Sequence, residues 1–343
     1  MSRLLVTDTH LGIYKDKDLF IDTTKRLFME MIDYCCNNNI KTIYHLGDFF
    51  DNKKFIGTKA LNTALYIADT LAKFDIKMYI CLGNHDLYVD SDYDLIILKI
   101  FKNYPCINII TQPTIINDDL LVPWHDVTFK YNTTCKNLFG HMYINGFQMN
   151  TSKICSDDRY TTELFKQFNN VFSGHFHTRQ FKTIDGVNYY YLGAPYQLNF
   201  GDRGNHCGYY ELTATDQLKF IEYSAVKFIH VMADDMINQA DVEHNIVKLI
   251  YSKNYGTKKN GDILEYVMSL NPIKVIPDFS RIITIDEDSG LELTNAIAVK
   301  SETEILFDYV NNINLPNIIN GDILRSMINQ LITEVADDNE TSY

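Results

Sequence analysis

Five short runs carry side chains that can do chemistry together: Asp8-Thr9-His10, Gly47-Asp48-Phe49-Phe50-Asp51, Gly83-Asn84-His85-Asp86, Gly140-His141 and Gly174-His175-Phe176-His177. Asp8, His10, Asp48, Asn84, His141, His175 and His177 offer four imidazoles, two carboxylates and one amide oxygen. Mixed nitrogen and oxygen donors without thiolate suit manganese, iron or zinc better than calcium. Seven donors are too many for one transition ion and suit two, provided one ligand bridges. A carboxylate has two oxygens, so Asp48 is the candidate bridge. In extended chain, residues two apart lie on one side, about 6–7 Å apart. Asp8 with His10, and His175 with His177, can therefore face a common pocket. Two divalent ions about 3.5–4 Å apart clamp an in-line displacement at phosphorus. His85, next to Asn84, is placed at the pocket wall to protonate the leaving oxygen. Asp51 is expected to orient His85 and keep it protonated. A lone DxH or GH means little; all five runs in order, each at the end of a strand, mean much more. His45, His125, His206, His230 and His244 are read as structural.

The elements that must position these residues follow from apolar spacing. Arg3–Thr7, Thr42–Leu46, Lys77–Leu82 and Ile107–Thr111 read as strands, with helices over Asp18–Asn38, Thr58–Phe74 and Asp94–Asn103 between them. This alternation predicts a sheet with helical crossovers, and such sheets present their sites at the carboxyl ends of the strands. Asn137–Gly140 and Asn170–Ser173 read as short strands, and Gln180–Tyr223 as successive strands with turns. Together they predict a second, largely antiparallel sheet. The fold class is α/β: two stacked sheets flanked by helices over 1–223, a small α/β unit over 224–298 and C-terminal helices over 299–343. Within the small unit, Asp241–Tyr251 and Leu264–Leu270 read as helical, Lys253–Gly261 as a loop and Arg281–Asp286 as a strand.

The chain has 343 residues, 46% hydrophobic and 22% charged, which excludes disorder and low-complexity scaffolds. No apolar run approaches the length of a membrane span. Seven cysteines without CxxC spacing argue against a disulfide framework or zinc finger and for a reducing cytoplasm. The net charge of −13 argues against a nucleic-acid partner.

The motif set resembles the calcineurin-like metallophosphoesterase superfamily. Within it, the chain is similar to the SbcD-type DNA repair nucleases, including the recombination endonuclease subunits of T-even phages. The likeness rests on Asp8-Thr9-His10-Leu11-Gly12, Gly47-Asp48-Phe49-Phe50-Asp51, Gly174-His175-Phe176-His177-Thr178 and Tyr191-Leu192-Gly193-Ala194-Pro195-Tyr196 with Gly201-Asp202. It implies that Asp8, His10 and His177 serve one ion and Asn84, His141 and His175 the other, with Asp48 between. The implied ion is manganese, with magnesium the alternative. The implied activity is exonucleolytic on double-stranded and endonucleolytic on single-stranded DNA, in processing DNA ends for repair, recombination and replication. Some relatives carry histidine where this chain has Asp51. A protein phosphatase or cyclic-nucleotide phosphodiesterase is the competing enzyme class, and a non-catalytic scaffold the competing non-enzyme. Phosphatases normally continue the second motif with arginine and glycine, whereas Asn52-Lys53-Lys54 stands here.

Two ions would add about +4 to the cleft, which answers the charge objection. Lys53, Lys54, Lys59, Arg179, Lys182 and Arg203 lie near the motifs in sequence and are candidate phosphate contacts. A chain this acidic is expected to lean on a partner for DNA binding. Leu324, Met327, Ile328, Leu331, Ile332 and Val335 form an apolar stripe after Asp322, and Ile305, Leu306, Tyr309, Val310 and Ile313 form another. These helices either pack on their own domain or dock into a partner. The resemblance favours docking onto the coiled-coil base of an SMC-like, SbcC-type ATPase. It also assigns the 224–298 unit as a capping domain. A helical homodimer face is expected from Leu61, Ala64, Leu65 and Ala68 with Ile97, Leu98 and Phe101.

Overall fold

The computed structural model describes residues 1–89, 92, 94, 96–124, 133–149, 153–156 and 160–282. The chain divides into two compact units, Met1–Ile229 and His230–Tyr343.

In the first unit the apolar runs become strands β1 (Arg3–Val6), β2 (Thr42–His45), β3 (Lys77–Cys81) and β4 (Ile107–Ile110). Then come β5 (Thr114–Ile116), β6 (Asp119–Leu121), β7 (Asn137–His141) and β8 (Asn170–Gly174). The last four are β9 (Gln180–Ile184), β10 (Val187–Tyr191), β11 (Gly208–Leu212) and β12 (Leu218–Glu222). Among the described residues they make two six-stranded sheets, ordered β12-β11-β1-β2-β3-β4 and β5-β6-β7-β8-β10-β9. β1 to β4 run parallel, with Leu4 opposite Ile43 and Tyr44 opposite Tyr79.

Period-two alternation decides which face of the second sheet each residue takes. Phe139 and Phe172 stack at 4.8 Å and meet Leu5, Tyr44, Leu46 and Cys81 of the first sheet. Their neighbours Leu138 and Val171 point the other way, into a second core with Phe147, Phe165 and Tyr189.

The second sheet is not largely antiparallel. β6, β7, β8 and β10 are parallel neighbours, and only the edge strands β5 and β9 pair antiparallel. Short strands read in a row look like hairpins, but their pairing depends on the crossovers between them. The run Gln180–Tyr223 is in fact shared: β9–β10 close the second sheet, while β11–β12 add to the first.

Two helices cover the first sheet's connections. Asp18–Asn37 buries Phe20, Leu27, Phe28 and Met31, and Thr58–Lys73 buries Ala60, Ala64, Ile67 and Ala68. The latter helix has no cap of its own at Gly57. Instead Asp16 reaches across and accepts hydrogen bonds from the Lys59 and Ala60 amides at 2.9 and 3.3 Å. A Cβ at Gly57 would stand 1.9 Å from that carboxylate, so glycine is what lets it approach. Asp16→Ala is expected to lower stability by about 1 kcal/mol, measured by urea unfolding of the full chain.

The predicted helix Asp94–Asn103 is a 3-10 turn over Ile97–Phe101. Ala64, Ala68, Leu98 and Phe101 are fully buried within the chain, and so they do not offer a dimer face.

From the end of the first unit onward, β13 (Phe228–Met232), β14 (Ile246–Ile250) and β15 (Lys274–Asp278) form a three-stranded sheet in that order, with helix Thr257–Ser269 in the second unit. The expected helix Asp241–Tyr251 is overturned: Gln239–Val242 is a single helical turn, and Ile246–Ile250 is β14. Ile246 and Val247 are β-branched, and pairing with β15 outweighs their helical spacing. The expected loop Lys253–Gly261 ends early, because the helix already starts at Thr257. Arg281 and Ile282 lie outside any strand. The rest of Arg281–Asp286, the two C-terminal apolar stripes and His125 fall outside the described residues. Among the described residues, no helix is long and apolar enough to cross a membrane.

Candidate metal centre

All seven proposed donors sit where strands of the two sheets end, at the same carboxyl edge. Asp8 and His10 follow β1, Asp48 follows β2, Asn84 follows β3, His141 ends β7, and His175 and His177 follow β8. The loops are zipped to one another by backbone bonds: Asp8 N to Gly47 O at 3.0 Å, His10 N to Asp48 O at 3.1 Å, and Leu11 N to Phe49 O at 2.8 Å. That zipper holds Asp8, His10 and Asp48 in left-handed backbone, with φ of 52°, 42° and 55°. Such conformations cost free energy in non-glycine residues and persist where the surroundings over-determine them.

The side chains converge in two groups that share Asp48. In one, His141 Nε2 lies 3.2 Å from Asn84 Oδ1, 3.2 Å from His175 Nδ1 and 3.3 Å from Asp48 Oδ2. Its Nδ1 is bound to the Leu46 carbonyl at 2.8 Å, which aims Nε2 into the cluster. In the other, donor atoms of Asp8, His10 and His177 lie within 4.8 Å of one another. His10 Nε2 is 3.7 Å from Asp48 Oδ2 and 4.0 Å from Asp8 Oδ1. Both ring nitrogens of His10 are buried without a hydrogen-bond partner. Buried polar atoms are normally satisfied, so a cation between His10 and the carboxylates fits these residues. The donor set suits divalent transition ions.

Electrostatics say the same. Burial works against charge at Asp48, yet His141, His10 and His85 hold its carboxyl well below the ordinary carboxylate value. Burial likewise opposes a charged His141, but Asp48 and Asp8 push it up to about 9. Burial, then His141, keeps His175 well below the usual imidazole value. The site thus concentrates negative potential that a cation can take over from a proton.

Two glycines are there because no side chain fits. A Cβ on Gly83 would lie 2.1 Å from Asp48 Oδ1, and one on Gly174 would lie 2.0 Å from Thr7 Oγ1. Both would displace donor loops.

His85 lines the pocket, half-buried, with its ring edge-on to His10 at 4.8 Å between centroids. Its amide donates to Asp48 Oδ1 at 2.9 Å. The expected partnership with Asp51 takes a different form: His85 Nδ1 meets the Asp51 backbone carbonyl at 2.6 Å. The Asp51 carboxylate instead faces His10 Nδ1 at 3.4 Å. The Asp51 amide is tied to Leu11 O, which fixes the peptide before the side chain has any choice. A carbonyl accepts a proton bond from Nδ1–H and leaves Nε2 for the pocket.

Lys59 pairs with Asp18 at 2.6 Å, Lys182 reaches the Gly146 carbonyl at 2.7 Å, and Arg179 lies over the Phe220 ring at 4.1 Å. Lys54 and Arg203 are exposed, and Lys53 is half-buried.

Sequence reasoning assigned no role to two buried carboxylates that hold the loops. Asp86 accepts bonds from the amides of Asp48, Gly83 and Phe49 at 2.9, 2.9 and 3.2 Å. Asp202 accepts from Leu198 N at 2.9 Å and stands 3.7 Å from His177 Nδ1. Asp86 closes the Gly83–Asp86 run, and a carboxylate beside a glycine turn was the available signal.

Below the loops, His45 is fully buried, with Nε2 at 2.9 Å from Thr9 Oγ1. Burial lowers its pKa from 6.5 to about 3. The unfolded chain therefore takes up a proton below about pH 6.5 that the fold refuses until about pH 3, so this residue's contribution to stability falls as pH falls through that window. Unfolding at pH 6 and pH 4 should differ by about 2–3 kcal/mol from this residue, and His45→Gln should reduce that difference.

The family model for calcineurin-like phosphoesterases matches residues 1–193. Exonuclease subunit 1 of Enterobacteria phage T4 is 27% identical over 354 aligned positions, covering 97% of this chain and 99% of that protein. Among solved structures, a novel archaeal phosphodiesterase is 14% identical, with 65% of this chain and 100% of that one covered at a TM-score of 0.34. A dimetal phosphatase from Danio rerio is 10% identical, with coverage of 62% and 91% and a TM-score of 0.40. The Pseudomonas putida nuclease MPE is 17% identical, with coverage of 55% and 73% and a TM-score of 0.29. The matched segment contains both donor clusters and His85, and the chain belongs to the calcineurin-like phosphoesterases, hydrolases of phosphate esters.

Proposed function

We propose that this chain is a metal-dependent DNA phosphodiesterase, the nuclease subunit of an ATPase–nuclease complex that processes DNA ends. One observation carries the DNA reading: the likeness to an exonuclease subunit runs through 97% of the chain, well beyond the phosphoesterase motifs. In this reading Asp8, His10 and His177 hold one ion, Asn84, His141 and His175 the other, and Asp48 bridges. Manganese is the proposed ion, with magnesium the alternative. Bound there, the pair would polarise the phosphoryl oxygens and lower the pKa of the attacking water.

The chain's own residues do the rest. Asp86 holds the amides of Asp48, Phe49 and Gly83, so the bridging carboxylate cannot drift. Asp202 orients His177. His85 Nε2 delivers a proton to the leaving 3′ or 5′ oxygen, while the Asp51 carbonyl keeps Nδ1 protonated. Lys53, Lys54, Arg179 and Arg203 are the proposed phosphate contacts. Residues 224–298 are proposed as the capping domain and 299–343 as the helices that dock on the SMC-like ATPase. A homodimer is part of the proposal, through surface other than Ala64, Ala68, Leu98 and Phe101, which are buried within the chain.

The test is cleavage of end-labelled double- and single-stranded DNA by the purified chain with manganese, beside a phosphomonoester. DNA cleavage with little monoester turnover supports the proposal. Brisk monoester hydrolysis without DNA cleavage, even with the ATPase added, makes the chain a phosphatase. Silence on both substrates makes it a scaffold.

A further inference from the structure

We propose that Trp124 and Tyr143 form a stacking platform for the nucleobase beside the scissile phosphate, so that the site takes its strand with that base unstacked. The proposal rests on the DNA phosphodiesterase reading above.

Three neighbouring strands of the second sheet deliver aromatic rings to one edge. Trp124 comes shortly after β6, His141 ends β7 and His175 follows β8. The Trp124 ring lies 5.2 Å from His175 and 5.7 Å from His141 between centroids. Tyr143, two residues past His141, lies 4.2 Å from His175 and 6.1 Å from Trp124, crossing the indole at 69°. The Trp124 amide donates to Leu82 O at 2.6 Å, which ties the indole to the run leading to Asn84. The platform is thus anchored to both sheets.

Trp124 and Tyr143 are half-buried residues, whereas core residues such as Phe139 and Phe172 are buried. Placed against the proposed ligands His141 and His175, they stand within one nucleotide's reach of a phosphate held there. Stacking also supplies what this chain's charge does not. At −13, with Lys59 and Lys182 already engaged, a basic groove is a weak source of strand affinity. Base–aromatic stacking needs no charge and tolerates any base, because every base has a π-face. A paired base cannot offer that face without leaving its stack. The platform therefore favours single strands and frayed ends.

Trp124 is the only tryptophan in the sequence, so intrinsic emission reports this one position. The His85→Asn chain, loaded with magnesium, is titrated with an oligothymidylate octamer and with an abasic octamer of equal charge. In parallel the wild-type chain is assayed for manganese-dependent cleavage of both. The thymidylate should quench the emission and be cleaved with a kcat/KM about 10-fold or more above the abasic strand. Trp124→Ala should erase that preference and Trp124→Phe retain most of it. Equal cleavage of both octamers with unmoved emission overturns the platform and leaves the nuclease reading standing. Cleavage of neither octamer, with brisk monoester hydrolysis, overturns the nuclease reading and the platform with it. Weakened manganese binding in Trp124→Ala with the base preference intact shows that the indole only props His175, and also overturns the platform.

Discussion

Asp48→Asn is expected to strip the chain of tight binding for both ions and to cut DNA turnover by about 10³-fold or more. The reason is geometric. Its Oδ2 stands 3.3 Å from His141 and 3.7 Å from His10, so one carboxylate belongs to both donor clusters. Metal assistance is worth several kcal/mol of transition-state stabilisation, and each 1.36 kcal/mol is tenfold in rate. Asparagine keeps an oxygen for the His85 amide, which now binds Asp48 Oδ1 at 2.9 Å. The loop should therefore keep its shape while the charge is lost. Calorimetric titration with manganese checks this. Two sites of wild-type affinity in the variant would show that Asp48 does not bridge.

His85→Asn is expected to leave both ions bound and to lower turnover on DNA by about 10²–10⁴-fold, the usual worth of a positioned proton donor. The Asp51 carbonyl engages Nδ1 and leaves Nε2 facing the pocket for that task. A sharper version uses the leaving group. A nucleoside alkoxide needs a proton as it departs; p-nitrophenolate does not. With bis(p-nitrophenyl) phosphate the loss should shrink to about tenfold or less. An equal loss on both substrates would mean that His85 stabilises charge on the phosphoryl group rather than protonating the leaving oxygen. Asp51→Asn should cost far less than His85→Asn, since the carbonyl that meets His85 is untouched by the change.

The candidate donor residues were legible because each motif couples a local signal to a short apolar strand. Asp8, Asp48, Asn84, His141 and His175 each follow or end such a strand. The parallel strands expected for the first sheet bring Asp8, Asp48 and Asn84 to one carboxyl edge; the parallel centre of the second sheet adds His141 and His175. Asp86 and Asp202 were marked at most by the glycines near them, because their partners are backbone amides that show no residue type in the sequence. Trp124 stood in no motif, and it mattered only once β6 was found beside β7.

By itself, then, the sequence determined which candidate donors recur along the chain and in what order, and the strand–helix alternation of the first sheet. These are all short-range properties, written in spacing and residue type. Tertiary structure decided the rest. It made the second sheet parallel at its centre, sent β11 and β12 to the first sheet, and turned Ile246–Ile250 from expected helix to strand. It gave His85 a carbonyl instead of a carboxylate. Each of these depends on which backbone groups meet across long separations, such as Asp51 with His85 or β1 with β11. Local propensity is silent there, and hydrogen-bond satisfaction and burial choose the outcome.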